Sequence, residues 1–270
     1  MNRLRTHIQI GTFEIFDPVE IKVISERGVP LILTKVILNE DYSTDRYQKI
    51  KKDDAVKIRY GWLDDAAEVI EGVVSSISPG RDLGLVEFTV LGKDIALSKT
   101  KIKQSFRDET PESIVTYCIN QAGLTPGKID SPGVILPHCN LSNVPVWEAV
   151  ETVERTCSKG HGTLMENWKL WFDQDGKVNW GDFSSKLETE ILIEAGLNLI
   201  RHDVCSSYAG WNTIETFLMP ELYASMDFEI DDAVRDVNGT FQALRVEQNI
   251  SEGRARTFVS YRETDETDGN

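Results

Sequence analysis

The sequence predicts a mainly β chain of α+β class with a small helical module in its middle. Three observations carry this. Apolar and polar residues alternate over most of residues 5–105. The stretch 106–124, "FRDETPESIVTYCINQAGL", has helical spacing with both ends marked, and the alternation returns after Gly162 and runs to about Arg262. Period-two alternation buries one face of each strand, as in an antiparallel sandwich or barrel, whereas a 3.6-residue period marks a helix with one apolar stripe.

In the first segment Val19, Ile21 and Val23, then Val56, Ile58 and Tyr60, then Val86, Phe88 and Val90 each fall on one side of a strand. Turn residues separate the runs: Arg27-Gly28, Asn39-Glu40-Asp41, Asp64-Asp65, Ser78-Pro79-Gly80 and Gly92. The pattern then changes. Thr110 suits a helix N-cap, Pro111 the first helical position, where its missing N–H is no loss, and Glu112 the positive end of the helix dipole. Ile114, Val115, Cys118, Ile119 and Ala122 recur at helical spacing, and Gly123 supplies a left-handed stop.

A second helix follows Pro145, with Val146, Ala149, Val150, Val153 and Cys157 on one stripe and Gly160 or Gly162 ending it. Between the helices, "TPGKIDSPGVILPHC" holds three prolines and reads as irregular chain. Beyond Gly162, "WKLWFDQDGKVNWG" places Asp175-Gly176 between two strands as a hairpin turn. The runs "WNTIETFLM", "MDFEI", "TFQALRVEQNI" and "RTFVSY" complete a second β-region. The predicted domains are therefore a first β-domain at 1–105, a helical module at 106–162, a second β-domain at 163–262 and an acidic, disordered tail at 263–270.

Composition sets limits on function. With 270 residues, 40% of them hydrophobic and 27% charged, the chain can form two folded cores. No run approaches the ~18 apolar residues of a membrane-spanning helix, and the start lacks a signal-peptide core. The expectation is a protein made in a cytoplasm-like compartment, without stable membrane insertion. Cys118, Cys139, Cys157 and Cys205 are widely spaced with no CxxC pair, which predicts free thiols. The formal charge is −15, and four of the acids lie in the tail "ETDETDGN", so the body is acidic too. Such a balance opposes broad gripping of phosphate backbones.

No catalytic, cofactor-binding or metal-binding residue is predicted. The nucleophile-elbow, zincin, phosphate-loop and dinucleotide-binding patterns are all missing from the sequence. The neighbouring carboxylates Asp64-Asp65 and Asp231-Asp232 read as solvated turn charges, not as an acid–base pair. His138, Cys139, Cys157 and His161 flank the second helix, but their spacing matches no zinc pattern. A calcium loop starting at Asp173 would want Gly at its sixth and Glu at its twelfth position, where Val178 and Ser184 stand. The run "KTKIKQSFR", with Lys99, Lys101, Lys103 and Arg107, reads as the exposed side of a final strand, whose charges protect an edge or face a neighbour.

The order of parts, with "FTVLGKDIALSKTKIKQSFRDETPESIVTYCINQAGL" followed by "NLSNVPVWEAVETV", resembles the baseplate hub proteins of phage tails. That group includes the late control gene D family and the amino-terminal hub part of type VI secretion spike proteins. "FLMPELYASMDFEI" resembles the family's Pro-containing lead into its second barrel, and "GTFQALRVEQNISEGRARTFVSY" its last hairpin. The resemblance implies two antiparallel tube-like β-barrel domains joined through two short helices. It further implies a trimeric, pseudo-sixfold ring that joins the tail tube, or a tube-initiator protein, to a separate spike protein. That ring would contact other baseplate proteins in the virion tail of a phage or a related contractile injection device. DNA would pass through its channel without specific binding, and no cofactor is implied. Two other readings stay open: a tail-associated cell-wall hydrolase, resting on the Cys/His group, and a carbohydrate-binding β-module presenting Trp168, Trp171 and Trp180.

Overall fold

The computed structural model describes residues 4–262 apart from 28, 40–48, 63–67, 81, 83, 164, 166–167, 173–176, 183–190, 206–209 and 225. The predicted tail at 263–270 and the turn residues Gly28, Glu40-Asp41, Asp64-Asp65 and Asp175-Gly176 lie outside the described residues. The fold is mainly β with few helices, as the alternation predicts, and the chain divides into two compact units. Unit 1 is Met1–Gly92 with Glu190–Asn270, and unit 2 is Lys93–Thr189. These boundaries differ from those drawn from the sequence. Alternation marks a strand without naming its partner, and here the first and last β-regions share one sheet.

Unit 1 contains β1 (Leu4–Ile10), β2 (Phe13–Ile15), β3 (Glu20–Glu26), β4 (Val29–Asn39), β5 (Ala55–Trp62), β6 (Glu68–Pro79) and β7 (Leu85–Gly92). Its carboxy-terminal part adds β13 (Leu192–Glu194), β14 (Leu199–Asp203), β15 (Asn212–Phe217), β16 (Asp227–Asp232), β17 (Val237–Ser251) and β18 (Arg254–Tyr261). All belong to one 13-stranded sheet, ordered β14-β15-β18-β17-β3-β4-β7-β6-β5-β1-β2, with β13 and β16 branching from β17. Pairing is antiparallel throughout except between β13 and β16. Two cores lie under this sheet. Ile8, Ile58, Tyr60, Phe88 and Val90 belong to one, and Ile193, Phe228, Ile230, Val259 and Tyr261 to the other.

The seam between them is β17. Its first part pairs with β16 from Val237↔Asp232 to Gln242↔Asp227, and its second part lies between β18 and β3. Alternation along "RVEQNI" points Val246, Gln248 and Ile250 inward, so an amide occupies a position patterned for an apolar side chain. Gln248 is 1% exposed. Its Oε1 accepts from the Tyr60 hydroxyl, and its Nε2 lies 3.1, 3.0 and 2.9 Å from the carbonyls of Met219, Pro220 and Leu222. The same connection is held elsewhere: Trp62 Nε1 donates to the Leu218 carbonyl, the Met219 N–H to Thr257 Oγ1, and the Ala224 N–H to Ser25 Oγ. A connection that cannot join a strand ladder thus finds partners for its backbone among side chains of β3, β5, β17 and β18.

Unit 2 comprises α1 (Ile95–Lys99), β8 (Lys101–Glu109), α2 (Pro111–Gln121), β9 (Pro126–Ile129), β10 (Leu136–Pro145), α3 (Val146–His161), β11 (Trp168–Phe172) and β12 (Val178–Asp182). The helix ends agree with the sequence. Thr110 Oγ1 accepts from the Ser113 N–H, and Gly123 and Gly162 take left-handed φ of 70° and 66°. The apolar stripes of α2 and α3 meet in one core with Leu97, Leu136, Leu141 and Trp180. Two features depart from the expectation. The segment 125–139 is irregular only in part: 130–135 belong to no element, but β9 pairs in parallel with β12 and the start of β10 pairs with β8. Prolines are tolerated at a strand's first residue and on the edge of a two-stranded ribbon, which is where Pro126 and Pro137 sit. The five-residue α1 also escaped detection, because one turn is too short to show a period.

Within this core Trp180 Nε1 donates to Glu154 Oε1 at 2.8 Å. Burial pushes the Glu154 carboxyl up to about 7; the Trp180 hydrogen bond opposes the shift and the neighbouring Glu151 adds to it. Burial likewise raises the Cys118 thiol to about 12 and the Cys157 thiol to about 11, so both stay protonated. All four cysteines are free.

Two predictions follow from these polar groups. Replacing Gln248 with Leu removes the donor to the Met219, Pro220 and Leu222 carbonyls and the acceptor for the Tyr60 hydroxyl, and is expected to lower the unfolding free energy by about 2–4 kcal/mol in urea titrations. Glu154 has its folded pKa raised, so its contribution to stability is full below the ordinary carboxylate pKa and is lost as pH rises through about 7. The stability gap between Glu154→Gln and the parent should therefore widen in favour of Gln between pH 5 and pH 8, with tryptophan fluorescence following the same midpoint in the parent alone.

Candidate functional site

The residues singled out from the sequence disperse in the structure. Asp64 and Asp65 lie outside the described residues. Asp231 and Asp232 were expected in a turn but stand on strand β16, where alternation sends Asp231 to solvent and Asp232 into the core. The two carboxylates therefore face opposite ways and cannot act as an acid–base pair.

Asp232 instead begins a buried polar chain that the sequence reading missed. Its Oδ2 lies 2.7 Å from His202 Nδ1, and His202 Nε2 lies 2.8 Å from the Tyr261 hydroxyl. His202 and Asp232 are 1% exposed and Tyr261 is fully buried. Burial would raise the Asp232 carboxyl, but the His202 hydrogen bond and the N–H groups of Arg235 and Val234 outweigh it and hold the carboxyl below its usual range. A carboxylate, an imidazole and a hydroxyl in line resemble a nucleophilic relay. Here the hydroxyl is sealed among Phe228, Phe241 and the imidazole, with no opening to a reacting carbonyl. The chain joins β14, β16 and β18 and acts as a brace. Its one trace in the sequence is His202 at a position where "LIRHD" should point inward.

The Cys/His group is likewise separated. His138 and Cys139 are consecutive on β10, so His138 faces solvent and Cys139 the core; Cys157 is buried on α3, and His161 is exposed at that helix's end. Among the described residues no three His, Cys, Asp or Glu side chains are grouped as metal ligands. Trp180 is fully buried and Trp168 packs against it edge to face at 4.7 Å, while Trp171 is half-buried on β11. The indole shared with Glu154 is thus core and not a sugar platform. The segment from Asp173 to Gly176 lies outside the described residues.

The basic run does form an exposed strand face, although its partner is β10 and not the first β-region. Lys101, Lys103 and Arg107 stand opposite Pro145, Ser142 and His138, with Ser105 Oγ donating to Asn140 Oδ1 between them. Lys99 ends α1. Ile102 and Phe106 take the other face, toward the core. Among the described residues no helix is long and apolar enough to cross a membrane.

No family model and no curated relative matches the sequence. Solved structures do match over nearly the whole chain. A 43 kDa tail protein of prophage MuSo2 from Shewanella oneidensis superposes with a TM-score of 0.69 at 11% identity, covering 97% of both chains. A tail protein from Neisseria meningitidis MC58 gives 0.70 at 10% identity over 96% of both. A type VI secretion component from E. coli, itself structurally similar to the T4 bacteriophage tail proteins gp27 and gp5, gives 0.66 at 10% identity over 96% of this chain and 77% of that one. With so little identity the likeness is one of fold, and the fold of this chain is that of phage-tail and type VI secretion proteins.

Proposed function

We propose that the chain is a structural hub of a phage-tail baseplate or related contractile injection device. The observation that carries this reading is the end-to-end match of fold to tail proteins, unit 2 included. The two cores of unit 1 support it: each copy contributes two β-lobes from one sheet, so a homotrimer supplies six lobes around an axis. That number suits a sixfold tail tube on one side and a threefold, separate spike protein on the other, with a channel between. Other baseplate proteins would bind the periphery, and the assembled hub would reside in the virion tail after assembly in the host cytoplasm. The work is done by surfaces and not by catalysis, in keeping with the sealed His202 chain and the separated carboxylates of β16.

Size-exclusion chromatography with light scattering, alone and with its tube and spike partners, is expected to report a trimer, and negative-stain images a ring with a central hole. A monomer under all these conditions would overturn the reading. The acidic body should also repel a passing genome. Gel-shift titration of the assembled ring is expected to show no binding to double-stranded DNA at physiological salt, with any low-salt binding abolished by replacing Lys99, Lys101, Lys103 and Arg107. Tight binding that survives those replacements would mean a nucleic-acid site exists.

A further inference from the structure

Several outward charges on unit 1 are paired across strands. Lys22 meets Glu247, Lys35 meets Glu87, Lys57 meets Glu71, and Arg254 meets Glu215. Two surfaces instead gather charged side chains that have no ion pair among the described residues, arginines on one and carboxylates on the other.

The first is a shallow groove lined by Arg5, Thr6, His7, Phe16 and Arg59. Register places His7 opposite Arg59 and Arg59 opposite Val69, so β1, β5 and β6 bring them to one outward face. Thr6 Oγ1 donates to the Phe16 carbonyl, and the His7 ring stacks on Phe16 at 4.9 Å and 13°. Phe16 is nevertheless 57% exposed and Val69 46%. Among the described residues neither Arg5 nor Arg59 has an ion pair. Two guanidinium groups beside an uncovered aromatic ring form the composition enriched at protein interfaces, in a chain whose net charge is negative.

The second surface is the outward face of β13 and β16. Glu194 lies directly opposite Asp231, and Leu192 opposite Glu229, while the neighbouring β17 residues are the uncharged Asn238 and Thr240. Like charges set directly opposite on a sheet are destabilising. Among the described residues none of Glu194, Glu229 and Asp231 has an ion pair. Leu192 stands exposed among them, as Phe16 does among the cations.

We infer that these two faces are the two halves of one interface between copies of this chain: the Arg5–Arg59 groove of one copy receives the Glu229–Asp231 face of the next. The groove sets two arginines that have no ion pair among the described residues beside the uncovered Phe16 and Val69, with Glu14 4.0 Å from His7, and the second surface sets three carboxylates that likewise have none around the uncovered Leu192. The groove belongs to the first lobe and the acidic face to the second, so the contact is heterologous and leaves both faces free at the ends of any open chain. Such contacts generate rings when the rotation closes. The inference rests on the trimeric reading above and names its seam.

Charge reversal with rescue tests it, with assembly followed by light scattering and folding by circular dichroism. Arg5→Glu with Arg59→Glu, and separately Glu229→Arg with Asp231→Arg, should each raise the concentration needed for assembly by about tenfold or more. Combining all four changes in one chain should restore it, because every contact is then reversed on both sides. Folded double variants that assemble like the parent, or a folded quadruple variant that stays dissociated, would overturn the seam while leaving the ring reading intact. A parent protein that never self-associates would overturn both.

Discussion

Unit 1 depends on a single buried amide. Gln248 sits on a strand whose pattern calls for an aliphatic residue, and its side chain is satisfied only if the 219–222 connection, Tyr60 of β5 and β17 arrive together. A buried polar group left without partners costs more than a hydrogen bond returns, so this network makes alternatives expensive and does not add much gross stability. Tyr60 and Gln248 are 188 residues apart, with all of unit 2 between them in the chain. Closing that contact commits the amino-terminal and carboxy-terminal strands to one sheet, and the β17–β3 ladder then follows in register from Arg245↔Glu26 to Ser251↔Glu20.

That constraint explains which parts of the fold could be read from the sequence. Local features could: Val56, Ile58 and Tyr60 alternate and are buried, Thr110 and Gly123 mark the ends of α2, and the Val146 to Cys157 stripe faces a core. The β17–β3 pairing could not, because alternation specifies a face and leaves the partner open. The pairing of β8 with β10 was hidden in the same way, and the prolines of 125–139 concealed it further. The His202–Asp232–Tyr261 chain escaped because its members come from three strands that only the tertiary fold assembles. The basic face of β8 was legible, since three cations at alternate positions need no partner to be recognised as exposed.

Polar groups in this protein divide by role according to burial. Inside, three of them are committed to protein partners: Gln248 to three carbonyls and a tyrosine, Asp232 to His202 and the turn that follows it, Glu154 to Trp180. Such groups have no capacity left for a substrate, and their geometry explains why carboxylate and histidine content alone does not indicate chemistry. The rise of Glu154 to about 7 is a consequence of packing an acid beneath an indole. A perturbed carboxyl can mark an active site, but only where it opens onto a cleft.

Outside, the arrangement differs between faces, and this difference bears most directly on function. A sheet that serves only its own fold gains by pairing its surface charges across strands, as Lys35 does with Glu87. Setting Glu194 against Asp231 gives up that gain, and exposing Phe16 between arginines gives up apolar burial as well. Each loss is small beside the total stability of a domain, yet both occur on or beside strands whose inward residues are well packed, so packing does not force them. Surfaces that are suboptimal for the isolated chain and complementary to each other are what a component of a closed assembly requires. In the proposed seam the counter-charge of a neighbouring copy would offset the repulsion only in the assembled state, and would select the heterologous contact over a symmetric one in which like faces meet.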